Sequence, residues 1–174
     1  MYHKIKGKKL LPIYKWLSYA LLTAIFFVLQ TTPQFLTINN NVTPILILPI
    51  CFAIAMIEKE FESTLFVVPV GIAWDISMGA IVGSYTLPLM VIIFLISFLI
   101  KIYFKNTLVN FIIISFISLF LLLFFTYIFT YKIFYDELTV LFFFEFLFPI
   151  CVYSTILSPI SYFLIKKLNA FFIV

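Results

Sequence analysis

Two acids, Asp75 and Glu145, lie inside long apolar runs of this 174-residue chain. A carboxyl group at the centre of a membrane helix costs roughly 2.5–3.5 kcal/mol on insertion scales, so something must offset it. Asp75 belongs to the pattern Gly71-x-x-x-Asp75-x-x-x-Gly79-x-x-x-Gly83, which holds every glycine except Gly7 of the N-terminal tail. A spacing of four puts these residues on one slowly drifting helix face, where small residues let another backbone approach closely in lipid. That face either fixes internal packing, with Asp75 hydrogen-bonded to a neighbouring helix, or docks a partner protein or lines a polar cavity. At about 1.5 Å per residue, Asp75, Glu145 and Gln30 fall at similar depths in a hydrocarbon core about 30 Å thick. An intramembrane polar cluster of Gln30, Asp75 and Glu145 in the outer half of the bilayer is therefore expected, the alternative being that Glu145 snorkels outward alone.

Other chemistry is poorly supplied. The one histidine, His3, sits in the basic tail, and Cys51 and Cys151 stand singly within apolar runs. Metal sites need several such ligands at close spacing, and a Ser–His or Cys–His nucleophile needs a base within reach. No phosphate-cradling glycine loop is present either. The reading is therefore no catalytic site, no metal and no cofactor, with both cysteines as small buried hydrophobes. An enzyme built on the two carboxylates is the one catalytic alternative.

The elements that must position these residues follow from composition. The chain is 65% hydrophobic and 10% charged, with a mean hydropathy of +1.24. Soluble domains run at about 45–50% apolar and about 25% charged, so a water-soluble fold is excluded. Six membrane helices of about 20 residues would use about 120 residues, leaving no room for a soluble module. The expected fold is all-α and polytopic, six transmembrane helices in one bundle, a single integral-membrane domain over 1–174. The approximate spans are 16–34, 43–57, 64–82, 85–100, 108–131 and 138–165. A cleavable signal peptide is not expected, because Gln30, Thr31, Thr32 and Pro33 follow the first run instead of a small-residue cleavage site.

The second run is short, yet the lysines argue that it crosses. With six spans and the N-terminus inside, ten of the eleven lysines face the cytoplasm and only Lys132 faces outward. Without that crossing they would divide almost evenly, against the positive-inside rule. Both termini are thus expected in the cytoplasm, and the +4 net charge reports membrane orientation rather than nucleic acid. Tyr14, Trp16, Tyr103 and Tyr162 near one interface, and Tyr127, Tyr131 and Tyr135 near the other, suit aromatic belts. Glu58, Lys59, Glu60 and Glu62 form an acidic turn read as a solvated corner.

The stretch Val70-Gly71-Ile72-Ala73-Trp74-Asp75-Ile76-Ser77-Met78-Gly79, followed by Ile81-Val82-Gly83, resembles the signature of the MreD family of bacterial rod-shape determinants. Leu29-Gln30-x-x-Pro33 followed by Pro44 is a second, weaker likeness, and the basic ends and six runs extend it over the whole chain. The acidic turn and Glu145 depart from the family pattern. The resemblance implies a non-enzymatic inner-membrane subunit of the cell-elongation, peptidoglycan-synthesis machinery. Its implied partner is a single-span MreC-like protein. Through that partner it would connect indirectly to MreB and to RodA with its penicillin-binding transpeptidase. A different class, the substrate-binding subunits of energy-coupling-factor vitamin transporters, also has six helices and an outward-facing ligand cavity, though polar ligand-contact loops are not evident here.

Overall fold

A computed structural model describes residues 2–32, 36–38, 42–103, 106–128 and 143–172, with side chains from residue 12 onward. Six helices occupy the described residues: α1 (Tyr2–Thr31), α2 (Ile47–Ile57), α3 (Glu60–Ser77), α4 (Thr86–Tyr103), α5 (Leu108–Thr126) and α6 (Phe148–Phe172). A π-helical turn, Phe143–Leu147, opens α6. There is no strand among them, only one isolated bridge between Ile38 and Val42. The expected outer loop with Lys132, Asp136 and Glu137, and the start of the sixth span, lie outside the described residues.

The shortest helix is the centre of the bundle. From Ile47 to Met56 every residue of α2 is buried, and α2 touches α1, α3, α4, α5 and α6. A helix that is apolar all round belongs inside other helices, which explains why this run lacks a polar face. At 11 residues it is about 16 Å long, shorter than the hydrocarbon core. Four segments are long and apolar enough to cross a membrane: Pro12–Thr31, Thr86–Tyr103, Leu108–Thr126 and Phe143–Phe172. Their outward faces carry exposed Leu17, Leu21, Val91 and Ile113, the surface that hydrocarbon solvates.

Because lipid tails are as apolar as leucine, close packing and hydrogen bonds hold such helices together rather than apolar burial. The α6 face toward α2 and α5 is accordingly small: Cys151, Ser154, Thr155, Ser158 and Ser161 are all buried. Opposite them, Ser115 and Ser118 of α5 are buried too, and the Phe111 and Tyr162 rings meet at 5.1 Å. Ser97 of α4 donates to the Ala55 carbonyl at 2.7 Å and lies 2.9 Å from the Ser63 hydroxyl, tying α2, α3 and α4. Both cysteines are free and buried, as their apolar settings imply.

One expectation is corrected by the backbone. The third run is not helical to residue 82. Helix α3 begins at Glu60, with Glu60 and Glu62 in its first turn, where acids complement the helix dipole. It ends at Ser77. Gly79 then adopts φ +63 and Gly83 φ +106, so the four-residue spacing marks a corner rather than a continuous helix face. Glycine is the residue that enters this left-handed region without a Cβ penalty, and it commonly stops a helix there.

Candidate functional site at the α3–α4 corner

Asp75 stands less than one turn before the end of α3 and is 0% exposed. Its Oδ2 accepts hydrogen bonds from the Gly83 N–H at 2.7 Å and the Thr86 hydroxyl at 2.5 Å. Its Oδ1 accepts from the Tyr85 N–H at 2.8 Å. The two N–H groups belong to the turn that leads into α4 and the hydroxyl to its first residue, so the carboxyl group at the end of α3 fixes the chain as it enters α4. The offset required for a buried acid is thus found within the chain: two N–H donors from the turn before α4 and the hydroxyl of its first residue.

Each residue of the glycine pattern has one part in this corner. A Cβ on Gly71 would lie 2.9 Å from both Cα and Oγ1 of Thr86, so the missing side chain lets the start of α4 come close enough for Thr86 to reach Asp75. A Cβ on Gly79 would meet no atom within 4 Å, so this glycine serves by its backbone angle alone. Gly83 combines a positive φ with the donated N–H. The Trp74 and Tyr85 rings pack edge to face, 6.5 Å apart, beside the carboxylate.

Gln30 does similar work for α2. Its Oε1 accepts from the Leu46 N–H at 2.9 Å and the Ile47 N–H at 3.0 Å, and Leu46 makes no side-chain cap of its own. The Ser154 hydroxyl accepts from the adjacent Ile45 N–H at 2.8 Å. Glu145 is exposed on the π-helical turn. Gln30, Asp75 and Glu145 therefore make separate contacts, and no hydrogen bond among the described residues joins any two of them.

Gln30 also borders a partly open cavity of about 340 Å³ between the ends of α1, α3 and α5 and the segments that open α2, α4 and α6. Trp74 and Tyr85 line it from the corner, and Leu48 and Leu123 lie deeper. Neither Asp75 nor Glu145 is among its lining residues. Among the described residues, no three His, Cys, Asp or Glu side chains come together.

At the opposite end the acidic turn is only partly solvated. Lys15 lies 2.5 Å from Glu58 Oε1, and the Tyr19 hydroxyl donates to the same oxygen at 2.9 Å. Glu60 pairs with Lys101 at 2.6 Å, and this lysine holds the Glu60 carboxyl below the usual carboxylate range. These pairs bring the lower part of α1, the α2–α3 turn and the end of α4 to one end of the bundle. The sequence signal was available in opposite charges bordering neighbouring apolar runs, but spacing alone did not match the partners.

The family model for the rod shape-determining protein MreD matches residues 12–172. No curated protein and no solved structure matches the chain. The match takes in all of α2 to α6, the glycine–aspartate corner and the Gln30 cap, and on it this chain belongs to the MreD family of rod shape-determining membrane proteins.

Proposed function

We propose that this protein is a non-enzymatic scaffold subunit of the bacterial cell-elongation machinery in the inner membrane. It crosses six times with both termini in the cytoplasm and docks a single-span MreC-like partner through membrane helices. The family match carries this reading, and the lysine distribution supports the orientation. MreB and RodA with its transpeptidase are reached indirectly through that partner. In this reading Gly71 and Asp75 set the packing of α3 against α4, while the turn between Gly79 and Gly83 presents exposed Ile81 and Val82 as the docking edge.

Affinity purification from the native cell in a gentle detergent tests the reading. Recovery of a single-span periplasmic coiled-coil protein with wall synthases is expected, and Asp75→Ala should reduce that recovery while membrane insertion persists. Equal recovery and normal rods in the variant would remove the role given to Asp75. The cavity at the Gln30 end favours one second reading, the binding subunit of an energy-coupling-factor transporter. Recovery of paired ATPases with a membrane coupling subunit would establish that reading instead.

A further inference from the structure

We infer that the cavity beside Gln30 is a binding site for a neutral glyceride-type lipid, an apolar chain carrying uncharged ester or hydroxyl oxygens. Its volume of about 340 Å³ falls within the range of small-molecule sites, about 300–1,000 Å³. Such sites combine apolar walls with a few polar groups that orient the ligand. Leu48, Leu122, Leu123, Leu147 and Ile150 supply the walls, and among the described residues no carboxylate or amine lines them. A charged head group would therefore find no counter-charge, and burying it would carry a large desolvation penalty.

The unused polar capacity defines the ligand further. Gln30 commits its carbonyl oxygen to the α2 amides, and its NH₂ group makes no hydrogen bond among the described residues. Thr126 is 6% exposed, and its hydroxyl, unlike those of Thr23 and Thr155, makes no bond to the preceding helical turn. The Trp74 indole N–H likewise has no partner among the described residues. Amide and indole nitrogens only donate, and a hydroxyl can do so. Three such residues lining one cavity of mixed apolar and polar walls suit a ligand that brings acceptors, as ester carbonyls do.

Trp74 makes the site readable. The chain has two tryptophans, so Trp16→Phe leaves Trp74 as the sole indole. At 4% exposure it is sheltered from surrounding lipid. Purified full-length Trp16→Phe protein in detergent would be titrated with a monoacylglycerol brominated along its chain, since bromine quenches indole fluorescence on contact. Saturable quenching, reversed by unbrominated monoacylglycerol, is expected. Brominated phosphatidylcholine and brominated fatty acid should quench much less.

Ser77→Phe, at an exposed rim position, should fill the cavity and abolish the quenching. Thr126→Val keeps the shape and removes one donor, and it should weaken binding about three- to tenfold, as one lost hydrogen bond does. Quenching that grows linearly without saturation would overturn the proposal. So would equal quenching by the charged lipids, or quenching that survives Ser77→Phe.

Discussion

Two helix starts near the same end of this bundle, those of α2 and α4, are both capped by a side chain from the helix before them. The caps differ in kind. Asp75 gives both carboxyl oxygens to three donors and has no exposed surface. Gln30 gives one oxygen to two amides and borders a cavity. A buried carboxyl group is tolerated where its oxygens are hydrogen-bonded, because leaving it unpaired costs more than leaving an amide unpaired. The residue most suggestive of chemistry in the sequence is thus the most fully enclosed by structure, and the milder amide is the one left open to a ligand.

Removing each cap should show the inequality. Asp75→Ala removes the acceptors of one buried and two partly buried donors, at up to about 1–3 kcal/mol for each group left unsatisfied. It should give the largest loss of unfolding free energy among these variants, measured by denaturation in detergent micelles. Gln30→Ala exposes two partly buried amides and should lose about 1–2 kcal/mol, as other cap removals do. A Gln30→Ala loss equal to that of Asp75→Ala would erase the distinction between the two caps.

Comparable to the Gln30→Ala loss is that of Gly71→Ala. The added methyl would meet the Thr86 backbone at 2.9 Å, and overpacking of this kind costs about 1–3 kcal/mol. Gly79→Ala should cost about 1 kcal/mol through its positive φ. Gly79→Asn should cost less, since asparagine tolerates that region and open space surrounds the position. This pair separates a conformational glycine from a packing glycine by circular dichroism melts alone.

The smallest effect belongs to the opposite end, at Glu60 and Lys101. The folded-state value of Glu60 is lowered, so its contribution is present above the ordinary glutamate range. It is lost as pH falls through the lowered folded-state value. Glu60→Gln should remove only that slight acid-side dependence, because exposed pairs contribute little. A large change in stability at neutral pH would give this pair a weight its exposure does not support.

The all-helical fold and the membrane setting were legible because they follow from composition, and the corner residues were legible as a set. Their arrangement was not. Gly71, Asp75, Gly79 and Gly83 fit a helix face by spacing, and periodicity alone does not tell a glycine that packs a helix from one that ends it. The central place of α2 was readable in its lack of any polar face, though its brevity drew attention to whether it crosses. Gln30 stood out as a polar residue near the end of an apolar run, but its partners are backbone amides of Leu46 and Ile47, which no side-chain pattern announces. The small face of α6, from Cys151 to Ser161, has a three- and four-residue spacing, but spacing alone does not say which helices it meets.

The direct test of capping by Asp75 is a double-mutant cycle with Thr86, using Asp75→Ala, Thr86→Val and the pair, each unfolded in the same micelles. Residues sharing one buried network couple by about 0.5–3 kcal/mol. Capping across the corner predicts a coupling of at least about 1 kcal/mol, since a hydroxyl donating to a carboxylate is among the stronger hydrogen bonds. Strictly additive losses would contradict it, and Asp75 would then have to be stabilised by something other than the start of α4.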